Sequence, residues 1–226
     1  MKRLVIFLLI LATLSAEEVR TVLNPNPRIT DYGDYEIDMR FYKYGSLLID
    51  AQFAVFQGLN IGFSIDFEKF IGTESIKMRK PNLNLKLEIL RNKGIFRNLS
   101  IGYDEQGFGD YDKNDKTYSI KEKGFYITAE IDAGVFSIIP GINFSDFESI
   151  KENSYGFLTL RIPLLKKLTV LAEGMNLFKG EDESTFNIGI NWRFIEDISC
   201  QFNFENIDKS KNKIERTLTV NYTGSF

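Results

Sequence analysis

The chain has 226 residues and a formal net charge of −3 at pH 7, with one cysteine, no histidine, 20 phenylalanines and 10 tyrosines. This acidic balance lacks the basic surface that nucleic-acid binding needs, so we predict no nucleic-acid partner. The lack of histidine excludes serine–histidine triads and histidine-based acid–base sites, and it removes a usual zinc ligand. We therefore predict that the protein is not an enzyme and uses no cofactor and no metal.

The first 16 residues have the pattern of an export signal. Lys2 and Arg3 precede the apolar run 4–14, and the small residues Ser15 and Ala16 suit a cleavage site. The apolar run has about half of the roughly 20 residues that a membrane-spanning helix needs. We predict a signal peptide over 1–16. Residues 17–34 show no periodicity, and we interpret them as a periplasmic N-terminal lead-in.

From residue 35 onward, apolar side chains recur at every second position. In 59–67 the odd positions are apolar and the even positions are small or polar, and 186–194 repeats the pattern. A period of two places these sets on opposite faces of a strand. The pattern predicts twelve strands, with ten or fourteen as alternatives: 35–43, 47–56, 59–67, 81–91, 95–103, 117–131, 134–145, 154–163, 167–175, 184–194, 197–206 and 214–226.

The links between these strands alternate in length. The short links are 57–58, 92–94, 132–133, 164–166 and 195–196, and the long ones are 68–80, 104–116, 146–153, 176–183 and 207–213. The first link, 44–46, is short where a long one is expected. Barrels of bacterial outer membranes have short turns at one end and long loops at the other. We therefore predict an all-β fold over 35–226, a single antiparallel up-and-down transmembrane β-barrel in the outer membrane.

The last predicted strand ends in an aromatic residue. Its alternating set is Leu218, Val220, Tyr222, Gly224 and Phe226. Such an ending resembles the signal that the barrel-assembly machinery reads, so we assign Tyr222 and Phe226 to an assembly signal. The expected surroundings are outer-membrane lipid and lipopolysaccharide, and the sequence leaves the oligomeric state open.

The polar face of the predicted strands carries charges of both signs. The candidate lumen-lining residues are Asp38, Arg40, Asp50, Asp66, Lys86, Glu88, Glu130, Arg161, Glu173, Arg193 and Glu205. Two carboxylates suffice for a glycosidase, but acids on nearly every strand are typical of an ion-paired lining. A loop over 110–115 begins like a calcium site, yet Asp115 stands where glycine is needed and Lys121 where glutamate is needed. We interpret it as a solvated external loop.

Several short segments carry a family resemblance. Residues 70–72, 81–87, 101–109, 123–126, 141–143 and 171–173 are similar to segments of poorly characterised bacterial barrels, among them exopolysaccharide-associated outer-membrane barrel proteins. The resemblance implies the fold, the location and a link to surface polysaccharide. It transfers no catalytic residue.

Two functions are open at this point. The first is a passive or weakly cation-selective channel for small solutes, because acids outnumber bases on the inward face. The alternative is a non-conducting structural or accessory barrel of the cell envelope, in the service of polysaccharide export. A closed lumen should tie the inward bases into ion pairs and leave the surplus acids at its mouths.

Overall fold

The computed structural model describes residues 19–112, 114–120, 122–144, 154–177, 184–207 and 214–226. The predicted signal peptide, 1–16, lies outside these ranges. The strands are β1 (Asp34–Tyr42), β2 (Ser46–Phe56), β3 (Leu59–Glu68), β4 (Lys77–Met78), β5 (Asn82–Lys93), β6 (Phe96–Asp104), β7 (Phe108–Asp112), β8 (Thr117–Ile120), β9 (Gly124–Asp132), β10 (Ser137–Phe144), β11 (Ser154–Leu165), β12 (Leu168–Met175), β13 (Thr185–Arg193), β14 (Ile198–Glu205) and β15 (Glu215–Ser225). Within the described ranges, no helix has the length and hydrophobicity needed to cross a membrane.

Twelve of these strands form one closed antiparallel sheet. Each pairs with its neighbour in the order β1, β2, β3, β5, β6, β9, β10, β11, β12, β13, β14 and β15. The seam closes where β1 pairs with β15, with Ile37 opposite Tyr222 and Phe41 opposite Leu218. The predicted all-β barrel of twelve strands is confirmed.

One predicted strand, 117–131, is wrong in its first part. Residues 117–120 form β8, which pairs with β7 in a hairpin separate from the barrel sheet, with Tyr111 opposite Tyr118. The barrel strand β9 begins only at Gly124, whose φ of 62° turns the chain between the two. The sequence does mark this break, because the apolar positions change from even numbers, Tyr118 and Ile120, to odd numbers, Phe125 and Ile127, across the polar run 121–124. The second long link therefore runs over 105–123.

The alternation of link lengths is confirmed. Links 57–58, 94–95, 133–136, 166–167 and 194–197 lie at one end, which we call the short-turn end. The opposite, long-loop end carries the β1–β2 link, a 3-10 turn over Lys43–Gly45. The β3–β5 link folds against this short link, with the Ile71 N–H donating to the Gly45 carbonyl at 2.8 Å. A Cβ on Gly45 would lie 2.2 Å from the Ile71 carbonyl oxygen, so glycine is required there.

The two faces of the sheet are inverted relative to a soluble protein. Large apolar side chains point outward and stay exposed around the wall, among them Ile61, Phe63, Leu87, Ile101, Phe125, Ile127, Ile188, Ile190, Trp192, Phe202 and Phe204. The alternate positions point inward and are buried although most are polar. The pleat thus separates an apolar exterior from a polar interior.

We predict that deleting Phe226 lowers the amount of folded barrel in the membrane fraction. Its backbone N–H donates to the Gly33 carbonyl at 3.0 Å, and its ring, 78% exposed, stacks on Tyr35 with the ring centres 6.3 Å apart. The measurement is the gel shift between unboiled and boiled protein, with Phe194→Ala as a control that also removes one outward aromatic.

Refolding into detergent distinguishes two causes for this loss. Normal refolding with failed insertion in cells would assign the effect to the assembly signal, and failure in both would assign it to the seam. Normal insertion of the truncated chain would contradict the assignment of Phe226 to an assembly signal.

Candidate functional site

The lumen of the barrel is occupied by the chain's own N-terminal segment. Residues 19–30, which we call the plug, are buried except for the half-buried Arg28. The interpretation of 17–34 as a lead-in in the periplasm did not anticipate this position. The segment lacks periodicity because it is an irregular peptide whose partners are wall side chains far away in sequence. Residues 31 and 32 are exposed and connect the plug to β1.

The plug turns back on itself and presents backbone N–H groups to one carboxylate. A bridge joins Arg20 to Pro25, and the Thr21 N–H donates to the Asn24 carbonyl at 2.9 Å. The N–H groups of Val22 and Leu23 donate to Glu173 of β12 at 2.6 and 3.0 Å. The Thr21 hydroxyl also donates to this carboxylate. Successive backbone N–H groups around an anion form a favourable nest.

Arg20 of the plug joins two wall carboxylates. Its guanidinium donates to Asp104 at the end of β6, at 2.8 to 3.1 Å, and also contacts Asp50 of β2. It lies over the ring of Phe108, 5.3 Å from the ring centre. Arg20, Asp50 and Asp104 are all buried. The carboxylates raise the pKa of Arg20 despite the opposing effect of burial, so the guanidinium stays charged.

A second ion pair lies further along the plug. Arg28 donates to Glu130 of β9 from Nε at 2.7 Å and from Nη2 at 2.8 Å. Arg161 of β11 lies 3.1 Å from the same carboxylate and donates to Asn26 of the plug at 3.2 Å. Two-point pairing of guanidinium with carboxylate fixes orientation as well as distance.

The 105–123 link enters the lumen from the long-loop end. Its Phe108 packs against Val22 and Leu23 of the plug and against an apolar patch on the wall, and this cluster consists of Val22, Leu23, Leu48, Phe108, Leu171 and Met175. This contact was not predicted from the sequence, because the link was expected to be external.

Arg79 holds the β7–β8 hairpin at that end. Its guanidinium lies 4.5 Å from the ring centre of Tyr111 and 5.1 Å from that of Tyr118. It also pairs with Asp66 at 2.6 Å and Glu68 at 2.7 Å. The hairpin is therefore fixed to the rim of β3 by cation–π contacts and ion pairs.

Lys123, at the end of the same link, is buried and lies next to the plug. Its Nζ is 3.3 Å from the Asn24 side-chain oxygen and 5.4 Å from the centre of the Phe157 ring. Burial lowers the pKa of Lys123 to about 8, against the opposing influence of Glu173 and Asp104. The amine is therefore still mostly charged at pH 7, and it loses its proton at a lower pH than an exposed lysine would.

The structure places the predicted lumen-lining residues as follows. Those buried on the inward face are Asp38, Arg40, Asp50, Asp66, Lys86, Glu130, Arg161, Glu173 and Glu205, while Glu88 and Arg193 are half-buried. Arg40 pairs with Glu205 within the wall at 2.5 Å. The surplus acids Asp50 and Glu173 are not left at the mouths as expected of a closed lumen, because the plug supplies their partners. Tyr222 and Phe226 lie at the short-turn end beside Tyr35.

Little space remains between the plug and the wall in the regions around Arg40. A cavity of about 20 Å³ lies beside Arg20, Arg40 and Phe108, and one of about 10 Å³ lies between Arg40, Tyr42 and Tyr118. A cavity needs about 10–15 Å³ to hold one water molecule. In this conformation these spaces have room for single waters and not for a larger solute.

The described residues contain no group of three or more histidine, cysteine or acidic side chains placed to hold a metal ion. In the loop that begins like a calcium site, Asp112 accepts bonds from the N–H groups of Asn114 at 2.7 Å and Asp115 at 3.4 Å. This carboxylate stabilises the turn of the β7–β8 hairpin.

Comparison with known proteins gives a fold and no family. No family model matches the chain, and no curated protein matches it. Among solved structures it is similar to the KdgM porin, with 8% identity, a TM-score of 0.55 and coverage of 85% of this chain and 99% of that one. Outer membrane phospholipase A from Escherichia coli gives 13% identity, a TM-score of 0.48 and coverage of 95% and 99%. A mutant porin of Rh. blastica gives 10% identity and a TM-score of 0.42, and the match covers 79% of this chain but 55% of that protein.

We predict that trypsin does not cut the folded protein after Arg20 or Arg28, because both lie within the lumen, and that it cuts after the exposed Lys77. Glu173→Gln should increase cleavage in the plug by about tenfold or more, since hydrogen bonds to a charged group contribute roughly 1.5–3 kcal/mol. Mass spectrometry of timed digests measures both rates. Asp132→Asn is the matched control, because this acid pairs with Arg97 outside the plug. Equal plug cleavage in both variants would contradict the role of Glu173.

We also predict that the wild type gains stability relative to Lys123→Met as the pH rises from about 7 to about 10. The folded pKa of Lys123, about 8, lies below the ordinary value of 10.5, so the unfolded chain binds more protons between these values. Stability rises with pH wherever the unfolded state holds more protons. Urea midpoints read from the gel shift at each pH measure the difference. Parallel curves for the two proteins would show that the buried amine does not titrate.

Proposed function

We propose that the protein is an integral outer-membrane β-barrel whose channel is held closed by its own N-terminal plug. The apolar belt around the wall supports the location, because exposed apolar surface of this extent is typical of a membrane-contacting face. Closure of the sheet supports it too, since each spanning strand finds its hydrogen-bond partners within the barrel. The proposed surroundings are lipid and lipopolysaccharide, and the proposed route is signal-peptide export followed by the barrel-assembly machinery.

The position of the plug is the observation that carries this proposal. The ladder that closes the wall pairs β1 with β15 from Asp34 onward and uses no plug residue. The plug is held by ion pairs, by hydrogen bonds and by the apolar contacts of Val22 and Leu23, and none of these contacts belongs to the sheet ladder. It can therefore leave the lumen without breaking the sheet, which is the property of a gate.

An open lumen would be weakly cation-selective. With the plug removed, Asp50, Asp104 and Glu173 lose the donors that the plug provides. Rings of like charge raise the local concentration of counter-ions. The cation selectivity predicted from the sequence would therefore belong to the open state, because in the closed state the plug supplies partners for these acids. We propose no enzymatic activity, in keeping with a sequence that has no histidine.

A second candidate is a non-conducting accessory barrel, with a role in surface polysaccharide export. It is favoured by the apolar cluster of Val22, Leu23 and Phe108 with three wall residues, which packs the centre of the lumen as a small hydrophobic core. Arg79 also fixes the β7–β8 hairpin at the long-loop end. A lumen filled by the plug and by Phe108 serves a structural role equally well.

A reversible lock on the plug separates the two candidates. The hydroxyl oxygens of Thr21 and Thr159 lie 3.3 Å apart, so Thr21→Cys with Thr159→Cys is placed to form a disulfide between plug and wall. Cys200→Ser removes the free thiol on the outward face. Arg28→Gln is added to all variants to weaken the plug, because it removes the pair with Glu130. We expect cation-selective current steps in planar bilayers for the reduced protein, none after oxidation, and recovery on reduction.

The single variant Thr159→Cys in the same background is the control, and its currents should not change when the oxidant is added. Silence of the reduced protein, with a normal gel shift, would reject the channel in favour of the accessory barrel. Currents that persist after confirmed oxidation would show that the plug is not the gate.

A further inference from the structure

The wall of the lumen binds the plug in the way that a receptor binds a peptide. It contacts the main chain from two sides. Glu173 accepts from the N–H groups of the turn, while wall side chains donate to plug carbonyls. These donors are Arg40 to Val22 at 3.1 Å, Gln201 to Thr21 at 2.7 Å, Lys86 to Arg28 at 3.1 Å and Arg91 to Ile29 at 3.2 Å.

Side-chain pockets accompany these main-chain contacts. Asp50 and Asp104 hold one guanidinium, and Glu130 holds a second that lies eight positions later in the chain. Between the two, Val22 and Leu23 fill the apolar patch formed with Phe108. Main-chain bonds supply affinity and side-chain pockets supply specificity in peptide recognition.

From this arrangement we propose that the lumen is a binding site for basic peptides, and that the plug is its intramolecular competitor. The proposal rests on the plug being able to leave, as the proposed gate requires. The ligand class is a peptide with two arginines separated by a short turn with apolar residues at its tip. A tethered segment reaches an effective concentration in the millimolar range, so a free peptide competes only when the plug is weakened.

The wall contacts main-chain groups as well as charges, so it should distinguish peptides from small cations. A free guanidinium compound can satisfy Asp50 and Asp104, yet it offers nothing to Glu173 in its nest geometry and no carbonyl to Gln201. We therefore expect free arginine to bind far more weakly than a peptide with the plug sequence.

The test uses the full mature chain with Arg20→Gln and Arg28→Gln, which weakens the plug and leaves the wall intact. The probe is a dye-labelled synthetic peptide with the sequence of residues 19–30, and the readout is fluorescence anisotropy. We expect saturable binding, at least tenfold weaker binding of the same peptide with both arginines replaced by glutamine, and no competition from L-arginine at the concentrations at which unlabelled peptide competes.

Two wall variants in this background sharpen the result. Glu130→Gln removes the carboxylate that holds Arg28 and should weaken binding at least tenfold, while Asp132→Asn removes a charge outside the plug contacts and should not. The gel shift checks that each variant is folded, and Asp50→Asn provides the same test if Glu130→Gln does not fold. Equal binding of the arginine and glutamine peptides, no binding, or displacement by L-arginine at peptide concentrations would overturn the proposal.

Anisotropy needs no current, so it keeps this inference separate from the proposed channel. Peptide binding by a silent barrel would support the site and reject the channel. Currents through the variant with Arg20→Gln and Arg28→Gln, without peptide binding, would support the channel and reject the site.

Discussion

The pairing of β1 with β15 closes the sheet, and most of the molecule follows from this closure. In a closed sheet each strand has a partner on both sides, so no edge remains to be protected. The strict alternation of the pleat then allows only two environments for side chains, an exterior and a lumen. With the apolar set outside, the polar set is confined within the barrel, where water is scarce and each charge needs a partner.

That confinement explains the chemistry of the lumen. Some partners come from the wall itself, as with Arg40 and Glu205. Others come from the plug, which precedes the barrel, as with Arg20 and Arg28. A buried carboxylate that has lost its partner is strongly unfavourable. The acid-rich wall and the arginine-bearing plug are thus complementary parts, and leaving either one unpaired is costly.

The sequence was sufficient for the barrel and insufficient for its contents. Alternation such as that of 59–67 determines both strand position and register, because a slip of one residue would exchange the two faces. No such rule covers the plug, whose Arg20 meets Asp104 from 84 positions away. The sequence did contain one sign of the plug, namely the excess of acids over bases on the predicted inward face. Buried acids without partners on the wall need cations from elsewhere in the chain. Phe108 was missed for another reason, since it lies in a polar stretch that was interpreted as an external loop.

The plug contains two prolines, Pro25 and Pro27, and both lower the free-energy cost of ordering it in the lumen. Proline has no backbone N–H and holds φ near −65°, so two fewer donors must be stripped of water when the segment enters the lumen. A proline also reduces the number of backbone states open to a detached chain. In the gate that we propose, a detached segment would therefore lose less backbone entropy on its return. The two residues that bring no N–H donor into the lumen would thus also lower the entropic cost of re-inserting the plug.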